Sequence, residues 1–435
     1  MLSIRPFQIV LLGIFASLAI IGVIFFTLFK GSSSEDVQSY GASVTIWGTL
    51  PASAFNSVFA EISRDDKEFQ VVRYVQKDAR TFDLEILNAI AEGRSPDLIV
   101  LRSDSIVTHR EKLLPISYST LPERDFKDAY IDGAGIFLFS DGVYGVPFAV
   151  DPLVMYWNRD MFSGNGLAVP PATWDALLTT VVPTLTKVAP NFSISRSAVA
   201  FGEYANVRNA KAILSLLFLQ SGTSIVTESN RQYSITLNQG SQGALPPGDA
   251  ALSFYTGFAL PSAAQYSWSR SLPEDRLQFT SGSLGLYFGF GSEYDAILNS
   301  NPNLNFDVAE VPQDASATVK RGLGTFYAFA IPRASGNTAG AFAAVQTLTS
   351  ARVSASLAGA LNLAPVQRST IAAGTTDPVE RVRFSAALIA RSWLDPSPIG
   401  SENVFKIMIE DVTSGRSRVT QAVSDAVGRL VLLFK

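Results

Sequence analysis

DGVYGVPFAVDPLVMYWNRDMFSGNGLAVPPATW, residues Asp141 to Trp174, holds two apolar runs with no turn-sized loop between them. Val143 to Val150 and Leu153 to Asn158 both read as extended segments, and Asp151-Pro152 stands at their junction. Two strands joined in this way predict a chain that passes from one lobe to another. A lone carboxylate at such a crossing lies where a ligand cleft would open.

The rest of the composition fits a folded, two-part protein. At 435 residues the chain exceeds what one ordinary core holds. With 47% hydrophobic and 17% charged residues it buries enough apolar surface to fold. The formal net charge of −4 gives no basic footprint for nucleic acid. Cysteine is absent, which excludes disulfides, thiolate metal sites and cysteine nucleophiles. The single histidine, His109, sits in the charged run THREK and is expected on an exposed helix face.

Gln8 to Phe29 carries no charge for about 22 residues, roughly 33 Å as a helix and enough to cross a bilayer. Arg5 precedes it and the polar, acidic GSSSEDVQ follows Lys30, so the positive-inside bias puts everything after Lys30 outside the cytoplasm. A cleaved signal peptide is the competing reading, but its apolar core is ordinarily shorter. The expectation is a transmembrane signal-anchor over 1–30, a serine-rich linker over 31–41, and one extracytoplasmic folded part.

That part opens with a strand at Ala42–Trp47, a helix near Ala52–Ile62, a strand at Phe69–Tyr74 and an amphipathic helix over Thr81–Glu92 capped by Gly93. Pro96-Asp97 leads into an all-apolar strand, Leu98–Leu101. Strand and helix alternating in this way predict parallel βαβ units, with ligands at the strand-end loops. Further on, a helix is expected over Asn206–Gln220 and another from Ala250 to Leu260. Strands are expected at Ser283–Phe290, Asn305–Val311 and Phe326–Pro332. Three helices close the chain, near Pro378–Ala390, Asn403–Thr413 and Val419–Leu432.

The common catalytic signatures are missing. No phosphate-binding loop, nucleophile elbow or zinc helix motif occurs. Gly289-Phe290-Gly291 and Gly322-Leu323-Gly324 are two-glycine fragments that read as tight turns. The carboxylate pairs Asp65-Asp66, Glu123/Asp125 and Glu274-Asp275 read as solvated surface.

Four segments carry a resemblance. They are ILNAIAEGRSPDLIVL (Ile86–Leu101), the opening stretch continued into PPATWDALL, the run TSGSLGLYFGFGSEYDAI with FDVAEVPQ and GLGTFYAFAIPRAS, and LNLAPVQRS with a tail from Trp393-Leu394-Asp395-Pro396 to SGRSRVTQAV. In that order they resemble family 1 extracellular solute-binding proteins of ABC importers, the maltose-binding type. The resemblance implies a two-lobed α/β fold, the type II periplasmic-binding-protein arrangement, closing on its ligand by hinge motion. It implies an N-lobe of 42–150 plus 312–355 and a C-lobe of 151–311 plus 356–435. Crossings are expected near Ala149–Pro152, near Val311 and around Ser350–Ser356.

Residues carry over where the motif matches. Asp104 and Asp151 match carboxylates that hydrogen-bond sugar hydroxyls, and Trp47, Gly48 and Thr49 match a loop of polar contacts. Asn209 lies near a third polar contributor. Phe290 and Gly291 stand where many members place a stacking tryptophan, and Gly324, Thr325 and Phe326 lie in a late cleft-lining turn. The chain departs from the pattern at Glu402-Asn403, where maltose-type members have an aromatic pair. Tyr266 and Trp268 are candidate replacements, and equally candidates for core. The implied function is capture of a small solute, a sugar or oligosaccharide, for delivery to ABC permease subunits. It needs no cofactor, metal or nucleic acid, and no catalysis. An anchored sensor or scaffold with the same fold is the alternative, and a cleft glycosidase using Asp104 or Asp151 is a third reading.

Overall fold

The computed structural model describes residues 40–239 and 245–434. The expected N-terminal anchor and most of the linker lie outside the described residues. No helix among the described residues is long and apolar enough to cross a membrane.

The first lobe grows from the alternation read in the sequence. The strand Val44–Gly48 pairs in parallel with Val72–Gln76 on one side and with Leu98–Arg102 on the other. The helix Ala52–Asp65 covers them, burying Phe55, Val58, Phe59 and Ile62 at helical spacing. The helix Phe82–Ala91 ends at Gly93, whose φ of 67° is the left-handed cap expected from the sequence. The strand expected at Phe69 begins at Val72. Lys67–Val71 form a 3-10 turn, held at its start by the Asp66 side chain accepting from the Glu68 backbone N–H.

Val146–Asn158 is one strand of 13 residues, not two, and every residue in it except Trp157 is buried. Its first half pairs antiparallel with the strand Gly322–Pro332, from Val146↔Phe329 to Pro152↔Gly324. Its second half pairs with Leu284–Phe290, from Leu153↔Phe290, and with Phe306–Ala309. Pro152 therefore falls where one ladder ends and the next begins. That is where a missing N–H interrupts least.

The same residues divide two hydrophobic cores. Side chains up to Val150 pack in the first core and those from Leu153 in the second. The chain returns between Leu323 and Phe326 and leaves again between Ala390 and Trp393. The bounds read from the resemblance put 356–435 in the second lobe, yet Leu357, Leu363, Val366 and Ile371 pack into the first core.

The glycine fragments are not turns. Gly289 and Phe290 lie on a strand, as do Gly322, Leu323 and Gly324. A Cβ at Gly324 would meet Val150 Cγ2 at 2.9 Å and Ala390 Cβ at 3.0 Å, so glycine there lets crossing segments approach closely.

His109 also differs from expectation. It is 2% exposed, with Nε2 2.8 Å from Asp83 Oδ1. Short helical turns over 103–112 fold Ile106, His109, Arg110 and Leu113 inward together. That helical spacing was present in the sequence beneath the charge.

Candidate functional site

The helix Ala210–Gln220 forms one wall of a cavity where the two cores meet. It starts four residues later than its composition predicts. The Asn206 amide is committed to Ser269 O and Leu272 O, each at 2.9 Å, which fixes the preceding turn. Arg208 is set by its backbone N–H donating to Asp275 Oδ1 at 3.2 Å. Asp275, read from sequence as surface, is buried. Burial pushes its carboxyl up to about 7 against the Arg208 and Arg276 backbone N–H groups that donate to it. Asn209 then donates through Nδ2 to Tyr287 Oη, Phe288 O and Glu293 Oε1 at 3.0–3.2 Å, tying the helix start to the strand Leu284–Phe290.

At the second residue of the helix, Lys211 Nζ donates to Asp395 Oδ2 at 2.7 Å, Ser401 Oγ at 2.7 Å and Pro398 O at 3.2 Å. All three protons of the ammonium are placed. Asp395 is 1% exposed, and burial raises its pKa while the Lys211 ammonium works against that rise. Facing this wall, the Arg102 guanidinium forks onto Asp104, with Nε to Oδ1 at 3.0 Å and NH2 to Oδ2 at 2.6 Å. Burial opposes ionisation of Asp104, but Arg102 holds its carboxyl below the usual range. Ser103 Oγ, 2.9 Å from Ser392 Oγ and accepting from the Phe326 N–H at 3.0 Å, joins the crossings behind them.

The cavity measures about 170 Å³. Arg102, Arg208 and Lys211 line it together with Asp104, Asp395 and Glu402, so three cations face three carboxylates. Phe290 and Trp393 add aromatic surface. Such a lining donates and accepts hydrogen bonds around a small neutral molecule while offering a ring face for an apolar side. Two larger hollows also lie between the lobes, of about 470 and 520 Å³. Only the smaller cavity includes Arg102 and Asp104, at the carboxyl end of a parallel strand, where open α/β sheets take their ligands.

Of the residues singled out from sequence, Asp104, Asn209, Phe290, Gly324 and Thr325 line this cavity. Asp151 does not. It is buried at the crossing, with Oδ1 accepting from the Ser292 N–H at 3.0 Å and Oδ2 from Ser292 Oγ at 2.6 Å. Burial pushes its carboxyl up to about 6 despite those bonds. Gly291 packs against it, with room for a Cβ only 3.0 Å from Arg383 Cδ. Phe326 is fully buried in the first core. Trp47, Gly48 and Thr49 lie at the end of the first strand, outside the cavity. The Trp47 ring carries Lys77 Nζ 3.7 Å from its centre, and a Cβ on Gly48 would meet Tyr74 Oη at 2.6 Å.

Trp268 is core, fully buried, with Nε1 donating to Asn206 Oδ1 at 3.0 Å. Arg102, Arg208, Lys211, Trp393, Asp395 and Glu402 were not singled out as ligand contacts from the sequence. Glu402, noted there only as a departure, accepts from Tyr204 Oη at the cavity rim.

Two α/β lobes that share long strands and enclose a polar cavity at the crossings define the class of two-lobed binding proteins. The chain matches the bacterial extracellular solute-binding protein family over residues 68–380, and it belongs to that family. The family's domain is extracytoplasmic. No curated protein sequence matches the chain.

Among solved structures, it is similar to a cyclo/maltodextrin-binding protein complexed with maltotetraose. The TM-score is 0.72 at 17% identity, over 89% of this chain and 96% of that one. It is also similar to the GacH receptor of Streptomyces glaucescens, studied unliganded and with acarbose, with a TM-score of 0.68 at 15% identity over 90% and 98% of the two chains. A solute-binding protein of Thermotoga lettingae bound with α-D-tagatose gives 0.66 at 19%, over 91% and 100%. At these identities the likeness is one of fold. The family and these three structures are of binding proteins, not enzymes.

Proposed function

We propose that the chain captures a small carbohydrate between its lobes, outside the cytoplasm, and presents it to an ABC permease. The apolar segment Gln8–Phe29 holds it at the membrane as a single-pass anchor. The observation that carries this reading is the cavity at the lobe crossings, where three cations and three carboxylates are set beside Phe290 and Trp393. Paired charges present fixed donors and acceptors to hydroxyls without demanding a charged ligand. A ring face packs on the C–H side of a sugar. Bound structures similar to this chain hold maltotetraose and tagatose, which supports the solute class.

In this reading Asp104, Asn209, Phe290, Gly324 and Thr325 contact the solute together with Arg102 and Lys211. Asp151, Gly291 and Phe326 hold the crossing that the lobes turn on. The chain acts by binding and performs no catalysis. Closure follows because the solute touches both walls at once only when the lobes meet.

A thermal-shift screen with maltotetraose, mannotriose, tagatose, acarbose and simple hexoses tests it. A binding sugar at a hundredfold excess over its dissociation constant stabilises the folded state by about 2.7 kcal/mol. Asp104→Asn should weaken that shift. No shift with any sugar, in a chain that melts cooperatively, would overturn the carbohydrate reading.

A further inference from the structure

We infer that Ser215 is a specificity-determining contact in the inner wall of the cavity, its hydroxyl left unpaired for one hydroxyl of the bound sugar. The inference rests on the carbohydrate reading above and deepens it. The solute must carry a hydroxyl that reaches this wall, and an analogue lacking that group binds more weakly.

The helix Ala210–Gln220 reads AKAILSLLFLQ, and Ser215 is its one polar residue between Lys211 and Gln220. Around it Ile213, Leu214, Leu216, Leu217 and Phe218 are buried in the second core. Serine is a poorer helix former than alanine or leucine, because its hydroxyl competes for backbone groups. Ser215 follows Lys211 by four residues and Ala212 by three, so helical spacing puts it on the face that carries those two. All three line the cavity.

Ser215 is 1% exposed, and its Oγ has no hydrogen-bond partner. Among the described residues it is the only enclosed serine or threonine hydroxyl left in that state. Buried hydroxyls on other helices bond back to the preceding turn. Thr256 Oγ1 donates to Leu252 O at 2.8 Å, and Ser354 Oγ donates to Ala351 O at 3.3 Å. Ser215 makes no such bond, although the Lys211 carbonyl belongs to the turn before it. A buried hydroxyl without a partner costs stability that alanine would recover. Such a cost kept in the wall of a binding cavity points to a partner that arrives with the ligand.

The neighbours define what that partner is. Lys211 gives its protons to Asp395, Ser401 and Pro398, and Arg102 holds both oxygens of Asp104. The charged groups are engaged with one another, whereas Ser215 keeps one proton to donate and two lone pairs to accept with. A neutral hydroxyl, both donor and acceptor, matches it, and an apolar group leaves it unpaired. A wall built to bond a hydroxyl rejects the analogue lacking it far more steeply than size alone can.

Ser215→Ala tests this on the full chain, by thermal melting without sugar and by calorimetric titration with maltotetraose, mannotriose, D-tagatose and D-glucose. Without sugar the melting temperature should hold or rise by about 1–2 °C, since no bond is lost and alanine is the better helix former. Affinity for a sugar that binds the parent chain should fall about five- to tenfold. Monodeoxy derivatives of that sugar complete a double-mutant cycle. One of them should bind the parent more weakly than the sugar by the same factor, and bind Ser215→Ala as well as the sugar does.

A lower melting temperature without sugar would mean that the hydroxyl is bonded within the protein, and would overturn the inference. Sugar binding that Ser215→Ala leaves unchanged, or a cycle in which each missing hydroxyl costs the same in both chains, would overturn it alone and leave the carbohydrate reading standing. If none of the four sugars binds the parent chain, the carbohydrate reading fails and the inference fails with it.

Discussion

The cavity wall and the contact of the second-lobe hairpin Val226–Ile235 with the first lobe are both built of basic side chains and carboxylates, but they pair in opposite ways. In the wall each main pair stays within one lobe: Arg102 with Asp104 on the first, Lys211 with Asp395 on the second. At the hairpin, Arg231–Asp141 and Arg110–Glu228 run between lobes. Pairs inside a lobe survive its movement and hold the lining in shape for whatever enters. Pairs between lobes tie one lobe to the other. The first kind pre-organises the lining and the second joins the lobes.

Breaking the buried wall pair should cost stability. Lys211→Ala leaves the Asp395 carboxyl buried without its cation, a change expected to cost about 3 kcal/mol in urea unfolding and to abolish the sugar-induced shift. The double variant Lys211→Met with Asp395→Leu should recover most of the stability and none of the binding. If it recovers binding too, the wall pair does not shape the site.

The buried carboxylates off the wall set the pH response. Asp275 is pushed up to about 7 and Asp151 to about 6, both chiefly by burial. A carboxyl whose folded pKa is raised contributes stability that is present below its unfolded value, near 4, and is lost as pH rises through the folded one. With about 1.4 kcal/mol for each unit of displacement, the melting temperature at pH 5 should exceed that at pH 7.5 by several degrees. Asp275→Asn and Asp151→Asn should each flatten part of that slope. A chain that melts higher at pH 7.5 would contradict both assignments.

Smaller effects separate the two regions further. Arg231→Glu should change unfolding stability by about 1 kcal/mol or less, since the arginine is largely exposed. Arg102→Ala, also exposed, should change stability by at most about 1 kcal/mol but weaken sugar binding. If Arg102→Ala costs as much stability as Lys211→Ala, burial does not set the worth of the two wall pairs.

How much of this the sequence carried depends on how local the signal was. The first lobe could be read almost residue by residue, because helix spacing, the glycine at 93 and Pro96-Asp97 are each set by a few neighbours. The long strand was read as two because Pro152 breaks the pattern. Only the change of partner at that residue explains how it is accommodated. In the site, Asp104, Asn209 and Phe290 sit at element ends that the motifs mark, and Gly324 and Thr325 lie within a strand that crosses beside them.

Lys211 and Asp395 gave no such mark. A lysine on a helix reads as solvent-facing until the tail Trp393–Ser401 folds over it. Asp151 drew attention as a lone carboxylate in an apolar run, and its two bonds to Ser292 give it a structural task at the crossing. Arg231 could have been noticed as an arginine beside Asn230 between two short polar strands, but its partner Asp141 is 90 residues away.

The account stands on one movement, closure of two lobes over the cavity beside Lys211. The chain has no cysteine, so Asn56→Cys on the first-lobe helix Ala52–Asp65 and Ser424→Cys on the second-lobe helix Val419–Leu432 place two spin labels, whose separation should be measured with and without the sugar that gives the largest thermal shift. A distribution that collapses to its short component on adding that sugar, in the parent chain and not in Lys211→Ala, is the predicted result. A sugar that stabilises the chain while leaving the distribution unchanged would contradict capture between the lobes.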